Sequence, residues 1–372
     1  MSPVSVFAVE DTSVQVCWHD LPAGTTISAG DSTVEVGGGG PGAATLDGLP
    51  PATTVDVLVR RPGAGAPRAA ATARTLAPPP GELLGRFATV NDLHLGERHF
   101  GLSGLIRERR PAGGDPYPLR CARAALREAV AWGATAVVAK GDLTYSGRPQ
   151  QWSDVADLLA GTGVPVAAIP GNHDVGAKAV DGRAAFAARG LVLTDEPAHV
   201  DLPGIRVVLV DTTIPTHHGG TVAKRAREQV ADLLAGAPGS AFLATHHYAQ
   251  RFRVPMAYPA GIPGPDARLL LDAVVRANPA TLVSAGHTHR NRRRRWGPLV
   301  LTEVAATMHY PGVWAGYAVH EGGIRQVVRR VAAPDAIAWT ERTRRALLGG
   351  WGVVSPGLLS HRCFSHPWPD RR

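Results

Sequence analysis

The chain has 372 residues, enough for two domains, and its 44% hydrophobic content is ordinary for a globular protein. The formal charge of +8 favours anionic partners in general. No stretch approaches 18 consecutive apolar residues, and the start lacks a basic segment followed by an apolar one. We therefore expect a cytoplasmic protein with no membrane partner and no secretory signal. Cys17, Cys121 and Cys363 are far apart and odd in number, which argues against a disulfide framework or a CxxC metal pair.

The first region, residues 1–76, shows short alternating apolar runs separated by turn signals such as "LPAG", "GGGGPG" and "LPPAT". This pattern predicts a small all-β sandwich. Trp18 and the stretch "LDGLPPATTVDVLV" (46–59) resemble a fibronectin type III module. The proline-rich "TLAPPPGE" then predicts a stiff linker over residues 77–85.

Beyond the linker, residues 86–330 alternate apolar runs with helix-like stretches. The helices are predicted at 118–132, 150–160, 222–235 and 266–277. Near-continuous apolar strands that alternate with helices indicate an α/β domain whose sheets are covered by helices. Residues 331–372 do not repeat this unit, and we predict a C-terminal extension there.

Polar side chains of metal-ligand type follow five of the apolar runs. In an open α/β sheet, ligands bind beyond the carboxyl ends of the strands, so these side chains could converge. Two carboxylates, one amide and four imidazoles suit Mn, Fe, Zn or Co, and seven ligands fit two ions about 3.5–4 Å apart. The predicted metal ligands are Asp92, His94, Asp142, Asn172, His246, His287 and His289.

The ordered blocks "DLH" (92–94), "GD" (141–142), "GNHD" (171–174), His246 and "GHTH" (286–289) resemble the calcineurin-like metallophosphoesterases. The resemblance covers roughly residues 86–305 and implies a four-layer αββα fold with the metals between the sheets. It also implies that Asp142 is shared between two ions. Asp92, His94 and His289 would complete one site, and Asn172, His246 and His287 the other.

Within that family, "DLHLG" and "GDLTYSG" are most similar to the class III cyclic-nucleotide phosphodiesterase branch. That branch often has "HHPP" where this chain has "HHYA" (246–249), so the substrate stays open. The purple acid phosphatases also have an N-terminal sandwich and a GDxxY block. They carry glycine in place of His94 and use the tyrosine as a ligand, so we predict that Tyr145 is not a ligand here.

The chemistry that we infer is direct phosphoester hydrolysis. Two metal ions would acidify a bridging water, and the resulting hydroxide would attack the phosphorus in line. His173 is the predicted catalytic residue that stabilises the transition state or protonates the leaving group, and Asp174 is predicted to orient its ring.

Several further residues have open roles in the sequence. Of the pair His246 and His247, the family pattern favours the first as the ligand. His217 and His218 are expected to be solvated loop residues, and Asp211 to be structural. The arginines at 251, 253 and 292–295 could hold phosphate, but a solvated hairpin tip is the expectation for the run.

Phosphodiester hydrolysis of a small substrate, cyclic nucleotides included, is the leading hypothesis. The alternatives are a phosphomonoesterase and a nuclease that uses the arginine run. The nuclease is disfavoured because aromatic stacking platforms are sparse. A non-catalytic scaffold is disfavoured because every ligand block is present. The sequence does not define a protein partner for the N-terminal module.

Overall fold

A computed structural model describes residues 3–100, 106–108, 114–254 and 259–369. Seven strands form the N-terminal module: β1 Val4–Val9, β2 Ser13–Trp18, β3 Thr26–Ala29, β4 Ser32–Glu35, β5 Gly42–Asp47, β6 Thr54–Arg60 and β7 Arg68–Arg74. They pair antiparallel as a three-stranded sheet, β1-β2-β5, and a four-stranded sheet, β4-β3-β6-β7.

Alternating apolar side chains explain the module, because Val14, Val16, Ile27, Leu46 and Val57 point inward from both sheets and are fully buried. The all-β prediction for this region is confirmed. The fibronectin type III resemblance and the boundaries at residues 76 and 85 stay predictions.

The remaining strands run from residue 83 to residue 367: β8 Leu83–Val90, β9 His99–Phe100, β10 Ile106–Arg107, β11 Val137–Lys140, β12 Val166–Ile169, β13 Val192–Leu193, β14 Ala198–Leu202, β15 Ile205–Leu209, β16 Ser240–Ala244, β17 Thr281–Ala285, β18 Arg292–Trp296, β19 Leu299–Glu303, β20 Val313–His320, β21 Gly323–Arg330 and β22 Phe364–Pro367. The helices are α1 Tyr117–Ala131, α2 Pro149–Ala160, α3 Arg183–Ala187, α4 Lys224–Ala235, α5 Gly264–Ala277, α6 Pro334–Thr343, α7 Gly350–Val354 and α8 Leu359–Arg362.

Two large sheets lie face to face in this second region. One has seven strands in the order β13-β12-β11-β8-β20-β21-β22, and the other has six in the order β14-β15-β16-β17-β19-β18. Phe87, Phe242 and Tyr317 fill the space between them, with ring centroids 4.9–5.1 Å apart. Helices α1, α2 and α6 share a buried cluster with the outer face of the first sheet, and α4 and α5 do so with the second. The predicted four-layer αββα fold is confirmed.

The sheet topology places the predicted ligands at one end of the domain. β8, β11 and β12 run parallel in the first sheet, and β15, β16, β17 and β19 run parallel in the second. Consequently the segments that follow β8, β11, β12, β16 and β17 all emerge at strand carboxyl ends, where the ligand blocks stand.

The four predicted helices are present with ends displaced by at most two residues. Two segments differ from expectation. The arginine run forms the edge strand β18, paired antiparallel with β19, rather than a hairpin tip. Residues of the predicted C-terminal extension form α6–α8 and β22, and β22 completes the seven-stranded sheet by pairing with β21. Within the described residues, every helix falls short of the length and hydropathy that a membrane span requires.

Candidate metal centre

The five strand-end segments bring the seven predicted metal ligands together. The Asp142 carboxylate lies at the middle of the group, because its Oδ2 is 3.4 Å from His94 Nε2 and 3.4 Å from His246 Nε2. His289 Nε2 lies 3.3 Å from Asp92 Oδ1, on the His94 side. Asn172 Oδ1 lies 3.2 Å from His246 Nε2, on the other side.

His287 completes the second side, since its ring centroid is 4.9 Å from that of His246. Its Nε2 is 2.9 Å from the Ala260 carbonyl oxygen, which leaves Nδ1 for a ligand. His246 is fixed in the opposite sense, with Nδ1 3.0 Å from the Lys140 carbonyl oxygen and Nε2 toward Asp142. His246 and His287 therefore each present one nitrogen to the centre while a backbone carbonyl holds the other.

The clustered donor atoms, and a buried ring nitrogen without a hydrogen-bond partner, fit a site for metal ions. Two groups of donor atoms, Asp92–His94–His289 and Asp92–Asp142–His246, each lie within 4.8 Å of one another. Among the described residues, buried His94 Nε2 has no well-aligned hydrogen-bond partner, and His94 Nδ1 has an ion-pair contact, 3.3 Å from Glu97 Oε2. A cation between His94 Nε2 and Asp142 Oδ2 would satisfy both atoms, and the mixture of imidazole and carboxylate suits a first-row transition metal.

Electrostatics favour charged carboxylates at the centre. Burial alone would raise the pKa of Asp92, but the neighbouring His289 holds that pKa below its usual range. Likewise, burial opposes the ionised form of Asp142, yet His246 and His173 keep its pKa well below the ordinary value. The pKa values of two histidines of the site shift in opposite directions. Burial opposes the charged form of His246, but Asp142 raises its pKa to about 9. Burial and the neighbouring His246 lower the pKa of His287 to about 3.

Backbone conformation at the site is unusual. Five of the seven predicted ligands, all of them described, have φ in the left-handed region: 52° at Asp92, 46° at His94, 49° at Asp142, 68° at His287 and 51° at His289. Side-chain-bearing residues adopt this region rarely, and it concentrates at functional sites. Neighbouring segments hold it in place, because Asp92 N donates to Gly141 O at 3.0 Å and His94 N donates to Asp142 O at 2.9 Å.

The "GNHD" turn follows β12 and lies against the "GDLTY" segment. The His173 backbone N–H donates to Asp142 Oδ1 at 2.8 Å, so the turn supports the shared carboxylate. The partly exposed His173 ring is held by the Tyr145 carbonyl, 2.9 Å from Nδ1, and lies 4.4 Å from the His94 ring, centroid to centroid. This backbone contact therefore uses Nδ1 and not Nε2. Burial lowers the pKa of His173.

The role predicted for Asp174 requires correction. Its carboxylate accepts hydrogen bonds from the backbone N–H groups of Leu143, Thr144 and Gly171 at 2.8–3.0 Å, and from the Thr144 hydroxyl at 2.6 Å. The Tyr145 carbonyl, not Asp174, fixes the His173 ring. Asp174 therefore clamps the "GNHD" turn to the "GDLTY" segment, and burial with nearby Asp142 raises its pKa to about 6.

Other residues singled out in the sequence lie around the centre. His217 and His218 are exposed, as expected of loop residues. Asp211 Oδ1 accepts from Thr213 N at 2.7 Å, a local turn contact that agrees with a structural role. Tyr145 is partly exposed, and its ring centroid lies 5.7 Å from that of His173.

The arginines singled out in the sequence are either exposed to solvent or engaged with other protein groups. Arg251 and Arg253 are exposed. In the run, Arg294 donates to the Ala249 carbonyl and the Glu303 carboxylate, and Arg293 lies 4.4 Å above the Phe364 ring.

Three buried residues at the centre escaped the sequence interpretation. Glu97 and His309 contact ligand histidines, and Lys140 donates to Ser284 Oγ at 2.7 Å and to Ala285 O at 3.1 Å between the sheets. Burial lowers the pKa of Lys140 to about 7. Glu97 stands only three residues after His94, a spacing that could have signalled it. His309 belongs to no motif and comes near only through the fold.

His247, the alternative to His246 in the sequence, also lies at the centre. It is fully buried, with Nδ1 2.8 Å from Thr212 Oγ1. Its ring centroid is 4.5 Å from that of His287. Since His246 Nε2 is the atom close to both Asp142 and Asn172, the geometry favours His246 as the ligand.

Comparison with known proteins agrees with this geometry. The family model of calcineurin-like phosphoesterases matches residues 85–291, which is more than half of the chain. A probable cyclic nucleotide phosphodiesterase from Rhodococcus erythropolis is 32% identical over 167 residues, 40% of this chain and 52% of the relative. A cAMP/cGMP dual specificity phosphodiesterase from Mycobacterium tuberculosis is 26% identical over 185 residues, 47% of this chain and 54% of the relative.

The chain thus spans about half the length of the curated relatives that it matches. Among solved structures, a purple acid phosphatase from yellow lupin is 11% identical and has a TM-score of 0.40, with 89% of this chain and 73% of the other covered. Likeness at that level carries no functional argument. The family match over the αββα domain, together with the ligand geometry at its strand ends, shows that this chain belongs to the calcineurin-like phosphoesterase family.

Proposed function

We propose that the protein hydrolyses phosphodiester bonds of small substrates, cyclic nucleotides among them, with two transition-metal ions. One observation carries the proposal: the Asp142 carboxylate lies 3.4 Å from an imidazole on each side, at the junction of two donor groups. A carboxylate shared in this way is the arrangement by which two ions are held about 3.5–4 Å apart.

The residues fall into two sets around Asp142. Asp92, His94 and His289 would hold one ion, and Asn172, His246 and His287 the other. When bound, the ions supply Lewis acidity that activates water and binds phosphoryl oxygens. Mn, Fe and Zn all suit this donor set.

His173 is the residue that we assign to the substrate. Its backbone N–H is committed to Asp142 and its Nδ1 to the Tyr145 carbonyl, so the ring cannot turn without losing a hydrogen bond. The partly exposed ring beside His94 can then offer Nε2 to a phosphoryl or leaving-group oxygen.

The substrate class rests on the relatives, both of which are named as cyclic nucleotide phosphodiesterases. The nuclease alternative loses support from the fold. Arg293 and Arg294 are engaged within the protein, and Arg292 and Arg295 are the exposed members of the β18 run. Two exposed arginines on an edge strand give little of the charged track that a nucleic-acid backbone needs.

The proposal is tested with protein reconstituted with Mn²⁺. We expect it to cleave bis-(p-nitrophenyl) phosphate faster than p-nitrophenyl phosphate, and to hydrolyse cyclic AMP. Asn172→Ala should lower diesterase kcat/KM by at least 100-fold, because one amide oxygen is lost beside His246. His199→Ala, on the exposed strand β14, is the matched control and should retain the rate. Faster monoester cleavage would make the protein a phosphatase, and equal rates for Asn172→Ala and wild type would overturn the site assignment.

A further inference from the structure

Two buried side chains outside the predicted ligand set connect ligand histidines from distant parts of the chain. His309 Nε2 lies 3.0 Å from Glu97 Oε1, and His309 Nδ1 lies 3.3 Å from His289 Nδ1. The second oxygen of the carboxylate, Glu97 Oε2, lies 3.3 Å from His94 Nδ1. Glu97 is 5% exposed and His309 is 2% exposed, so water does not compete for these contacts.

We propose that Glu97 and His309 are positioning residues that fix the tautomer and the ring orientation of His289 and His94 as metal ligands. The inference rests on the metal centre of the proposed function, and it adds two residues that act through the ligands rather than on the substrate. Carboxylates that bind the remote nitrogen of a ligand histidine set its tautomer and increase its basicity.

The donor and acceptor capacities of these groups determine which ring nitrogen of each histidine carries the proton. An ionised carboxylate only accepts, so His309 must donate from Nε2 to Glu97 Oε1. A neutral His309 then has its lone pair on Nδ1, where it accepts the Nδ1–H of His289. This leaves the lone pair of His289 on Nε2, which faces Asp92 Oδ1 at 3.3 Å.

The same reasoning applies to the other arm. With a proton on Nδ1, toward Glu97 Oε2, His94 keeps its lone pair on Nε2, which faces Asp142 Oδ2 at 3.4 Å. His94 and Glu97 are also joined through the backbone, since Glu97 N donates to His94 O at 2.9 Å. One carboxylate thus directs two ligand nitrogens toward the same ion.

The hydrogen-bonded set His94, Glu97, His309 and His289, called the relay below, is held in place by packing. The Tyr117 hydroxyl donates to Glu97 Oε1 at 2.8 Å, and the Tyr117 ring stacks on Trp339, with centroids 3.8 Å apart. Phe100 covers His309 with a centroid distance of 3.7 Å. Helices α1 and α6 therefore support the relay, which gives α6, from the region after residue 330, an indirect role at the metal centre.

The test compares Glu97→Gln with the wild type. A glutamine must present its amide N–H₂ to one of the two imidazoles, which forces one of them into the wrong tautomer. We expect Mn²⁺ affinity, measured by calorimetry, to fall about 10- to 100-fold. Glu128→Gln is the matched control: this partly buried carboxylate accepts from Ala332 N and Ala333 N away from the centre, and its loss should leave Mn²⁺ affinity unchanged.

A spectroscopic measurement separates positioning from mere packing. In protein loaded with diamagnetic Zn²⁺ and labelled with ¹⁵N-histidine, long-range ¹H–¹⁵N spectra should identify His94 and His289 as Nδ1–H tautomers, with the Nδ1–H signal of at least one of them changed in Glu97→Gln. If Glu97→Gln does not fold, His309→Gln carries the same comparison, because it keeps a donor to Glu97 and removes the acceptor for His289.

Either an Nε2–H tautomer of His289 in the wild type, or unchanged tautomers and Mn²⁺ affinity in both variants, would overturn the relay. Neither readout needs turnover. Protein that shows the relay signals yet cleaves no phosphoester therefore contradicts the proposed function alone.

Discussion

Strained backbone and unmet hydrogen-bonding capacity coincide at individual residues of the metal centre. A left-handed φ at a non-glycine residue costs of order 1–3 kcal/mol, and such residues persist only when their surroundings hold them. His94 combines φ of 46° with a buried Nε2 that lacks an aligned partner among the described residues. A bound cation accounts for both features, because the strained backbone directs the side chain to the centre and coordination of the cation there would offset the strain.

A residue far from the centre gives the clearest pH dependence. His366 on β22 is 7% exposed, and burial, with the charges of Arg295 and Arg293, lowers its pKa to about 4. The unfolded chain therefore binds this proton more tightly, so the stability tied to neutral His366 is complete above about pH 6.5 and is lost as the pH falls toward 4.

We expect the urea midpoint of unfolding to fall between pH 7 and pH 5, and to fall less in His366→Asn. The exposed His199→Asn should keep the wild-type slope. If the slopes of wild type and His366→Asn agree, His366 is not the group responsible.

The sequence predicted which side chains the fold brings together where ligand-type residues repeat at strand ends, but it did not do so where only the fold makes the contact. Asp92, His94, His287 and His289 could be found from their i, i+2 spacing after apolar runs. His309 could not, because 212 residues separate it from Glu97. Asp174 was assigned to the wrong partner because adjacency in sequence does not reveal which backbone N–H groups surround a carboxylate.

At the scale of elements, the centre depends on how two strand-end segments touch. Gly171 approaches the "GDLTY" segment so closely that an added Cβ would stand 2.2 Å from Asp142 N and 2.3 Å from Asp142 Oδ1. Backbone cannot yield by that amount without moving the shared carboxylate. Gly176 lies on the same turn, but its Cβ would meet only His173 O, at 4.0 Å.

Gly171→Ala should therefore displace Asp142 and weaken Mn²⁺ binding at both ions, with a loss of stability of about 1–3 kcal/mol from overpacking. Gly176→Ala is the matched control and should behave as wild type. Calorimetric Mn²⁺ titration with urea denaturation measures both effects, and unchanged binding in Gly171→Ala would show that the contact is dispensable.

Four helices, α1, α2, α4 and α5, were predictable because they have an amphipathic pattern and a proline or glycine boundary, as at Pro149 and Gly161 for α2. Strand β18 was not, because consecutive arginines suggest a solvated turn. Charged residues are in fact one way in which sheets protect an exposed edge, and β18 is the edge strand of its sheet.

At the scale of the whole molecule, a buried ion-pair network joins the N-terminal module to the αββα domain. Glu10, between β1 and β2, is 4% exposed. Its carboxylate accepts from Trp132 Nε1 at 3.0 Å, lies 3.4 Å from Arg325 Nη2 and contacts Arg329. The module therefore packs against the αββα domain at this point.

Glu10→Ala removes a carboxylate that contacts Arg325 and Arg329, while Arg325 keeps its ion pair with Asp11. Because removal of one member of a buried pair costs up to about 3–5 kcal/mol, the remaining Asp11 places the expected cost at about 1–3 kcal/mol. We expect a matching loss in the free energy of unfolding by urea, with diesterase kcat/KM of the folded protein retained. Asp56→Ala, at an exposed position on strand β6 of the same module, should change stability by no more than about 0.5 kcal/mol. A loss below 1 kcal/mol for Glu10→Ala would show that the network contributes little.

In this topology, strands that are synthesised early pair with strands that are synthesised late. β8, which leads into Asp92, lies in the middle of its sheet between β11 and β20, and Val9 N reaches Cys363 Sγ across 354 residues of chain. Contacts of such separation slow folding, because long loops must close before the contacts form. A nascent chain thus holds Asp92, Asp142 and Asn172 on an unfinished sheet until β20 emerges. We expect maturation to be late and slow, with the open side of β8 as the surface that a chaperone would cover.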